Sequence, residues 1–186
     1  MGKAPGAVGA GLISPREPSP PIGQRIPMPP LVVESIDSLQ AFVGREICVT
    51  DWLAVTQDRI QQFAEATEDR QWIHVDRARA QLESPYKSTI AHGFLTLSLL
   101  SHFLKQAIQI RRGVRMGINY GLNRVRFPSP VLADSKIRAR LSLESLKKLP
   151  GSFEATYAIT IEAGGGGKPC CTAEWIVRYY PASDSD

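Results

Sequence analysis

An α+β domain, with one apolar helix packed against an antiparallel sheet, is what this sequence predicts, and two observations carry the prediction. The first is the helical stretch Phe94 to Ile110, apolar nearly all round, which must sit inside something. The second is a change of period after it: apolar residues then recur at every second position. Val125 and Phe127 share one strand face, as do Ile137, Ala139, Leu141 and Leu143, then Tyr157, Ile159 and Ile161, then Cys171, Ala173, Trp175, Val177 and Tyr179. Sequential strands with short connections predict an antiparallel meander. The helix fills its curved side.

The remaining elements follow in order. Ser35 caps a short helix through Phe42, ended by Gly44 at a position suited to positive φ. Glu46 to Val55 reads as a strand. Thr56 opens a second helix with Ile60, Phe63 and Ala64 on one face. Residues 67–92 read as irregular, rich in polar and charged groups and interrupted by Pro85. Gly164 to Gly167 joins the last two strands as a loose hairpin turn.

Eight of the 14 prolines and five glycines fall before residue 31. Such a segment lacks backbone donors and cannot bury enough apolar surface to offset its ordering entropy. The expected organisation is a disordered tail over residues 1–30, one domain over 31–181 and a short tail over 182–186. A signal peptide is the weaker reading, because Pro5 and three glycines interrupt the mildly apolar Ala4 to Ile13.

With 186 residues, 43% of them hydrophobic, the chain can form a packed core, which excludes disorder throughout. No apolar run reaches the ~18 residues of a membrane span. The densest, Phe94 to Leu104, is broken by Thr96, Ser98, Ser101 and His102. The net charge of +4, partly supplied by Lys3, Arg16 and Arg25, is too small to argue for nucleic acid. Cys48, Cys170 and Cys171 form no C-x-x-C pair, which favours a reducing compartment, the cytoplasm, with Cys171 a small core residue.

Titratable groups concentrate in Thr67-Glu68-Asp69-Arg70-Gln71-Trp72-Ile73-His74-Val75-Asp76. Asp69 and His74, just after a helix, can point into one cleft and hold a water between them. The plain alternative is that Asp69 caps a turn and His74 is a structural histidine. Thr89-Ile90-Ala91-His92-Gly93-Phe94 enters the buried helix. Gly93 lets a ligand approach the backbone, where free helix N–H groups favour developing negative charge. The alternative is that Gly93 only permits close packing. His74, His92 and His102 show no metal-ligand spacing, so no metal is expected. Lys136, Arg138 and Arg140 read as the solvated outer face of one strand, and Arg124 and Arg126 share another.

The order Asp-x-x-x-x-His-x-Asp, His-Gly, buried helix and then Val125-Arg126-Phe127-Pro128-Ser129-Pro130-Val131 resembles the MaoC-like dehydratase family, which includes the (R)-specific enoyl-CoA hydratases. The Gln71-Trp72-Ile73-His74-Val75-Asp76 variant looks most like the branch containing nodulation protein N. The resemblance spans roughly residues 45–180. It implies a hot-dog fold, an antiparallel sheet around one long helix, with the active site at a homodimer interface. Carried onto this sequence, the catalytic residues are Asp69 and His74, the carbonyl-polarising glycine is Gly93, and the serine that orients the aspartate is Ser101, with Ser98 one turn earlier. Trp72, His92, Arg124 and Arg126 are expected to bind substrate, and Gln71 and Trp72 replace the Asn-Pro of many hydratases. The implied activity adds water to a trans-2-enoyl-CoA without metal or redox cofactor, and the implied partners are an acyl-CoA and a second copy of the chain. A hot-dog thioesterase and a non-catalytic acyl-CoA-binding subunit are the competing readings.

Overall fold

Six strands curve around one helical rod. The computed structural model describes residues 28–182, so the expected N-terminal tail falls almost wholly outside the described residues, as does most of the C-terminal one. In chain order the elements are β1 (Leu31–Val33), a 3-10 helix (Asp37–Phe42), β2 (Arg45–Val49), β3 (Leu53–Val55), α1 (Gln57–Thr67), α2 (Trp72–Val75), α3 (Arg77–Glu83), α4 (Gly93–Ser98), α5 (Leu100–Ala107), β4 (Ile108–Ile110), β5 (Met116–Arg126), β6 (Ser135–Leu149), β7 (Ser152–Ala163) and β8 (Cys171–Tyr180). The large sheet runs β2-β6-β7-β8-β5, with β3 also on β6, and every pairing in it is antiparallel.

The alternation read from the sequence forms the core in β6, β7 and β8, whereas Val125 of β5 is half-buried and Phe127, just past the end of that strand, is 41% exposed. Ile137, Ala139, Leu141 and Leu143 of β6, with Tyr157, Ile159 and Ile161 of β7, are buried. So are Cys171, Ala173, Trp175, Val177 and Tyr179 of β8, in one cluster with Leu95, Leu100, Phe103 and Ala107 of the rod. Register shifts between Leu143 and Ser145 of β6, and at two places in β5, bend the strands as bulges do and let the sheet wrap.

Several elements depart from expectation. β6, β7 and β8 form the predicted meander, but β5 pairs with β8 at the far edge rather than with its sequence neighbour β6. The helix over Phe94 to Ile110 is two segments joined at Leu99, which keeps right-handed dihedrals (φ −75°, ψ −6°). Its last three residues leave it as β4, a parallel partner of β1, because Ile108 and Ile110 accept an extended backbone readily. One side of the rod is bare, with Phe94 69% exposed. The Glu46 to Val55 strand is split. Thr50 donates its N–H to the Ala139 carbonyl (2.9 Å) and accepts from Ala139 N–H through Oγ1 (3.0 Å), and this side-chain bond replaces a ladder step. Residues 67–92 hold α2 and α3 rather than an irregular stretch.

At the termini of the helices the sequence signals fare unequally. Thr56 caps α1 by accepting from Arg59 N–H (3.2 Å). Ser35 does not cap the 3-10 helix; Ile36 holds that position, and Ser35 Oγ bonds Ser38 Oγ instead. Gly44 takes φ 81°, as the turn requires.

The outer face of β6 is corrected most. Lys136 is exposed, but Arg138 is 2% exposed and bonded to Glu162, itself 1% exposed, at 3.0 Å. Trp52 covers its guanidinium at 4.6 Å, while Arg140 bridges Glu46 (3.0 Å) and Glu162 (3.5 Å). An outward position on a strand predicts a solvated charge. Here Trp52 lies over it, and the opposite charge at the paired position of β7 neutralises it.

Candidate active site

The end of α1 sets the first catalytic candidate. Glu68 closes the helix in the left-handed region (φ 59°), which turns the chain so that Asp69 leaves the helix axis with its side chain exposed. Gln71 then starts the single turn α2, which carries His74 inward. That turn is stitched to the segment before the rod: Ile90 N–H donates to the Ile73 carbonyl (3.0 Å), and Gln57 Nε2 donates to the His74 carbonyl (2.7 Å).

His74 is buried, and its Nδ1 lies 2.7 Å from the Ile90 carbonyl oxygen. A carbonyl only accepts, so Nδ1 carries the hydrogen and Nε2 of the neutral ring keeps a lone pair. Burial pushes the imidazole below its ordinary value of 6.5, the Ile90 hydrogen bond opposes that, His92 lowers it further and Asp69 raises it. At neutral pH the ring is therefore an uncharged acceptor at Nε2.

His92 completes the cluster. Its Nε2–H donates to the Asp69 carbonyl (2.9 Å) and lies 3.9 Å from the Asp69 carboxylate. Its ring stacks on that of His74 with centroids 3.7 Å apart and planes at 25°, and the Phe63 ring tilts against it at 5.1 Å. One donor atom from each of Asp69, His74 and His92 lies within 4.8 Å of the others, a gathering that sequence spacing did not suggest. In this arrangement His92 Nε2 presents a hydrogen rather than a lone pair to Asp69. A water between the carboxylate and the His74 ring suits the separation.

Gly93 is the first residue of α4, so its N–H has no acceptor inside the helix. A Cβ at Gly93 would meet the Phe127 ring at 3.0 Å, so close packing is one reason for glycine there. The same residues border a pocket of about 280 Å³ lined by His74, Tyr86, Gly93, Thr96, Phe127 and Val131. His74 and the Gly93 backbone thus open on one space.

A model of the MaoC like domain matches residues 38–162, more than half of the chain. The chain belongs to the MaoC-like family. It is 47% identical over 147 residues to 3-hydroxyacyl-thioester dehydratase Z of Mycobacterium tuberculosis, covering 78% of this chain and 96% of that protein. It is 43% identical over 143 residues to nodulation protein N of Rhizobium leguminosarum bv. viciae, covering 76% and 89%. The solved (R)-hydratase from A. caviae involved in PHA biosynthesis matches with TM-score 0.56 at 25% identity, over 68% of this chain and 91% of that one. The fold is the hot-dog fold, and the enzyme class is hydro-lyase.

The other expected site residues of this MaoC-like chain, Ser101, Trp72, Arg124 and Arg126, are not among those that line the His74 pocket. Ser101 pairs with Asn119, whose Nδ2 donates to its Oγ at 3.1 Å, beside a second, apolar cavity of about 310 Å³ that includes Leu104, Trp175 and Tyr179. Ser98 donates to the Leu95 carbonyl within its own helix (2.7 Å). Trp72 has its ring covered by the Arg79 guanidinium at 4.5 Å. Arg124 and Arg126 border a groove on the outer side of β5, β8 and β7, where Arg124 faces Glu174 at 3.8 Å. Tyr86 and Phe127, which line the His74 pocket, were missed as site residues, since a tyrosine in a polar loop and an aromatic at a strand end carry no distinguishing pattern.

Proposed function

We propose that the chain is an (R)-specific enoyl-CoA hydratase, running equally as a 3-hydroxyacyl-CoA dehydratase. One observation carries the reading: a neutral His74 with its Nε2 lone pair free, the Asp69 carboxylate within 4.8 Å, and the unpaired Gly93 N–H bordering the same pocket as the imidazole. With a trans-2-enoyl thioester in the pocket, Asp69 holds a water while His74 Nε2 takes one of its protons. The water oxygen bonds to C3, the C2–C3 π pair moves toward the carbonyl, and the resulting enolate oxygen is held by Gly93 N–H. Such an oxyanion donor contributes on the order of ~3–4 kcal/mol to the transition state. The imidazolium then returns its proton to C2 from the same face, and His74 is neutral again. Every atom comes from water and substrate, so the step calls on no metal or redox cofactor.

A homodimer is part of the same reading. β5 is an edge strand, and Met116, Ile118 and Leu122 on it are large apolar residues left exposed, the kind of edge that pairs with a second copy. Light scattering should then give about twice the 20.4 kDa of one chain; an active monomer would contradict this. Three free, buried cysteines support a reducing compartment, the cytoplasm. No helix of the described residues is long and apolar enough to cross a membrane. The deciding experiment incubates the full chain with trans-2-enoyl-CoA and analyses the product on a chiral phase. The (R)-3-hydroxyacyl-CoA is expected. An (S) product, or free thiol without a hydrated intermediate, overturns the reading.

A further inference from the structure

We propose that His92 is a positioning residue that sets Asp69 and His74 against each other, rather than a residue that binds substrate. This rests on the reading of Asp69 and His74 as the pair that handles water.

Two contacts converge on this one side chain, and its backbone stands at the start of a helix. Nε2–H donates to the Asp69 carbonyl at 2.9 Å, the ring face lies 3.7 Å from that of His74, and the residue is the N-cap from which Gly93 opens α4. Among the described residues, no other hydrogen bond reaches Asp69. That matters because Asp69 follows Glu68, held in the left-handed region that non-glycine residues adopt at a cost. The bond from His92 fixes the turn and so fixes where the carboxylate stands. The stacked ring meanwhile blocks rotation of His74 away from the Ile90 carbonyl, preserving the tautomer that leaves Nε2 free.

His92 is itself 3% exposed, enclosed by Phe63 and His74, which leaves little surface for substrate. Its Nδ1 is buried with no hydrogen-bond partner. A phenylalanine would stack as well without burying an unpaired nitrogen, so packing alone does not account for histidine here. The donor at Nε2 does.

The two imidazoles are held in opposite tautomers, hydrogen on Nδ1 in His74 and on Nε2 in His92. The charged or titratable groups acting on His74 are His92 and Asp69, with Tyr86 and Cys170 lining the same pocket.

The test uses the full chain and trans-2-enoyl-CoA. His92→Phe keeps the ring and loses the donor: kcat should fall by about 10²-fold, the scale of a small misplacement, with KM nearly unchanged. His92→Gln restores an N–H near the Nε2 position and should recover much of that loss. Loss confined to KM would make His92 a substrate contact and overturn the proposal, as would full kcat in His92→Phe. Nitrogen-15 spectra of the histidine rings in the unmodified chain provide a check that needs no turnover. They should show His92 protonated at Nε2, and a proton on Nδ1 instead overturns the proposal. An unmodified chain without hydratase activity would refute the functional reading alone, and the ring spectra would still decide the role of His92.

Discussion

Gly93 and the ring of Phe127 touch so closely that a methyl group on Gly93 would stand 3.0 Å from the ring edge. The contact closes one wall of the pocket that holds His74, and it joins two segments far apart in the chain. Gly93→Ala should therefore destabilise the fold by about 1–3 kcal/mol, the usual cost of overpacking. Combining it with Phe127→Ala should relieve most of that strain, giving a strongly non-additive cycle. Thermal melts of the four proteins measure it; additive losses would mean the ring moves aside freely.

Asp69→Asn and His74→Gln should each lower the hydration rate by at least ~10²-fold, the lower end for general acid–base catalysis. The double variant should be little worse than the poorer single one, because two groups sharing one water act as a unit. Steady-state kinetics give the answer. Near-normal turnover with a lower melting temperature would instead make both residues structural.

The acid limb of activity should have its midpoint below the ordinary histidine value of 6.5, because burial holds His74 down and the reaction needs it neutral. Stability follows the same group. In the folded state His74 binds a proton less readily than in the unfolded chain, so below 6.5 the unfolded chain takes up more protons. The contribution to stability is full above 6.5 and is lost as pH falls through 6.5 toward the folded value. Melting temperatures across about pH 5 to 8 should fall on the acid side, and His74→Gln should flatten that fall. A midpoint above 6.5 contradicts the buried, neutral ring.

Arg138→Met should cost about 3–5 kcal/mol, since it leaves the buried Glu162 carboxylate without its closest partner. Adding Glu162→Leu should return much of the loss, because a well-packed apolar pair can replace a buried ion pair. Urea unfolding of both variants measures this. Equal stability of the single variant and the parent would show the ion pair to be dispensable.

Much of this fold is legible in the residues, and the reasons are local. The alternation through Ile137 to Leu143 and Cys171 to Tyr179 marks the buried face, because adjacent strand side chains point to opposite sides. Thr56 marks a helix start because its hydroxyl supplies an acceptor the helix lacks. The turn into the rod is marked by His92-Gly93. The end of the rod is not legible: Ile108 and Ile110 satisfy helix and strand patterns alike, and only the presence of β1 beside them decides for a strand. Arg138 is the same kind of case, since nothing near it in sequence announces Trp52 or Glu162.

By itself the sequence determined the α+β class and the buried strand faces, consequences of spacing along a few turns or strands, and it offered Asp69 and His74 as candidates through the resemblance their motif carries. The tertiary structure alone decided that β5 lies beside β8 and that Arg138 is neutralised under Trp52. It also decided that His92 ties the carbonyl of Asp69 to the ring of His74, while Ser101 turns to Asn119. Those outcomes depend on partners between 18 and 86 residues away along the chain. Burial, the Ile90 carbonyl and a stacked neighbour set the charge state of His74, and none of the three is a property of the motif that contains it.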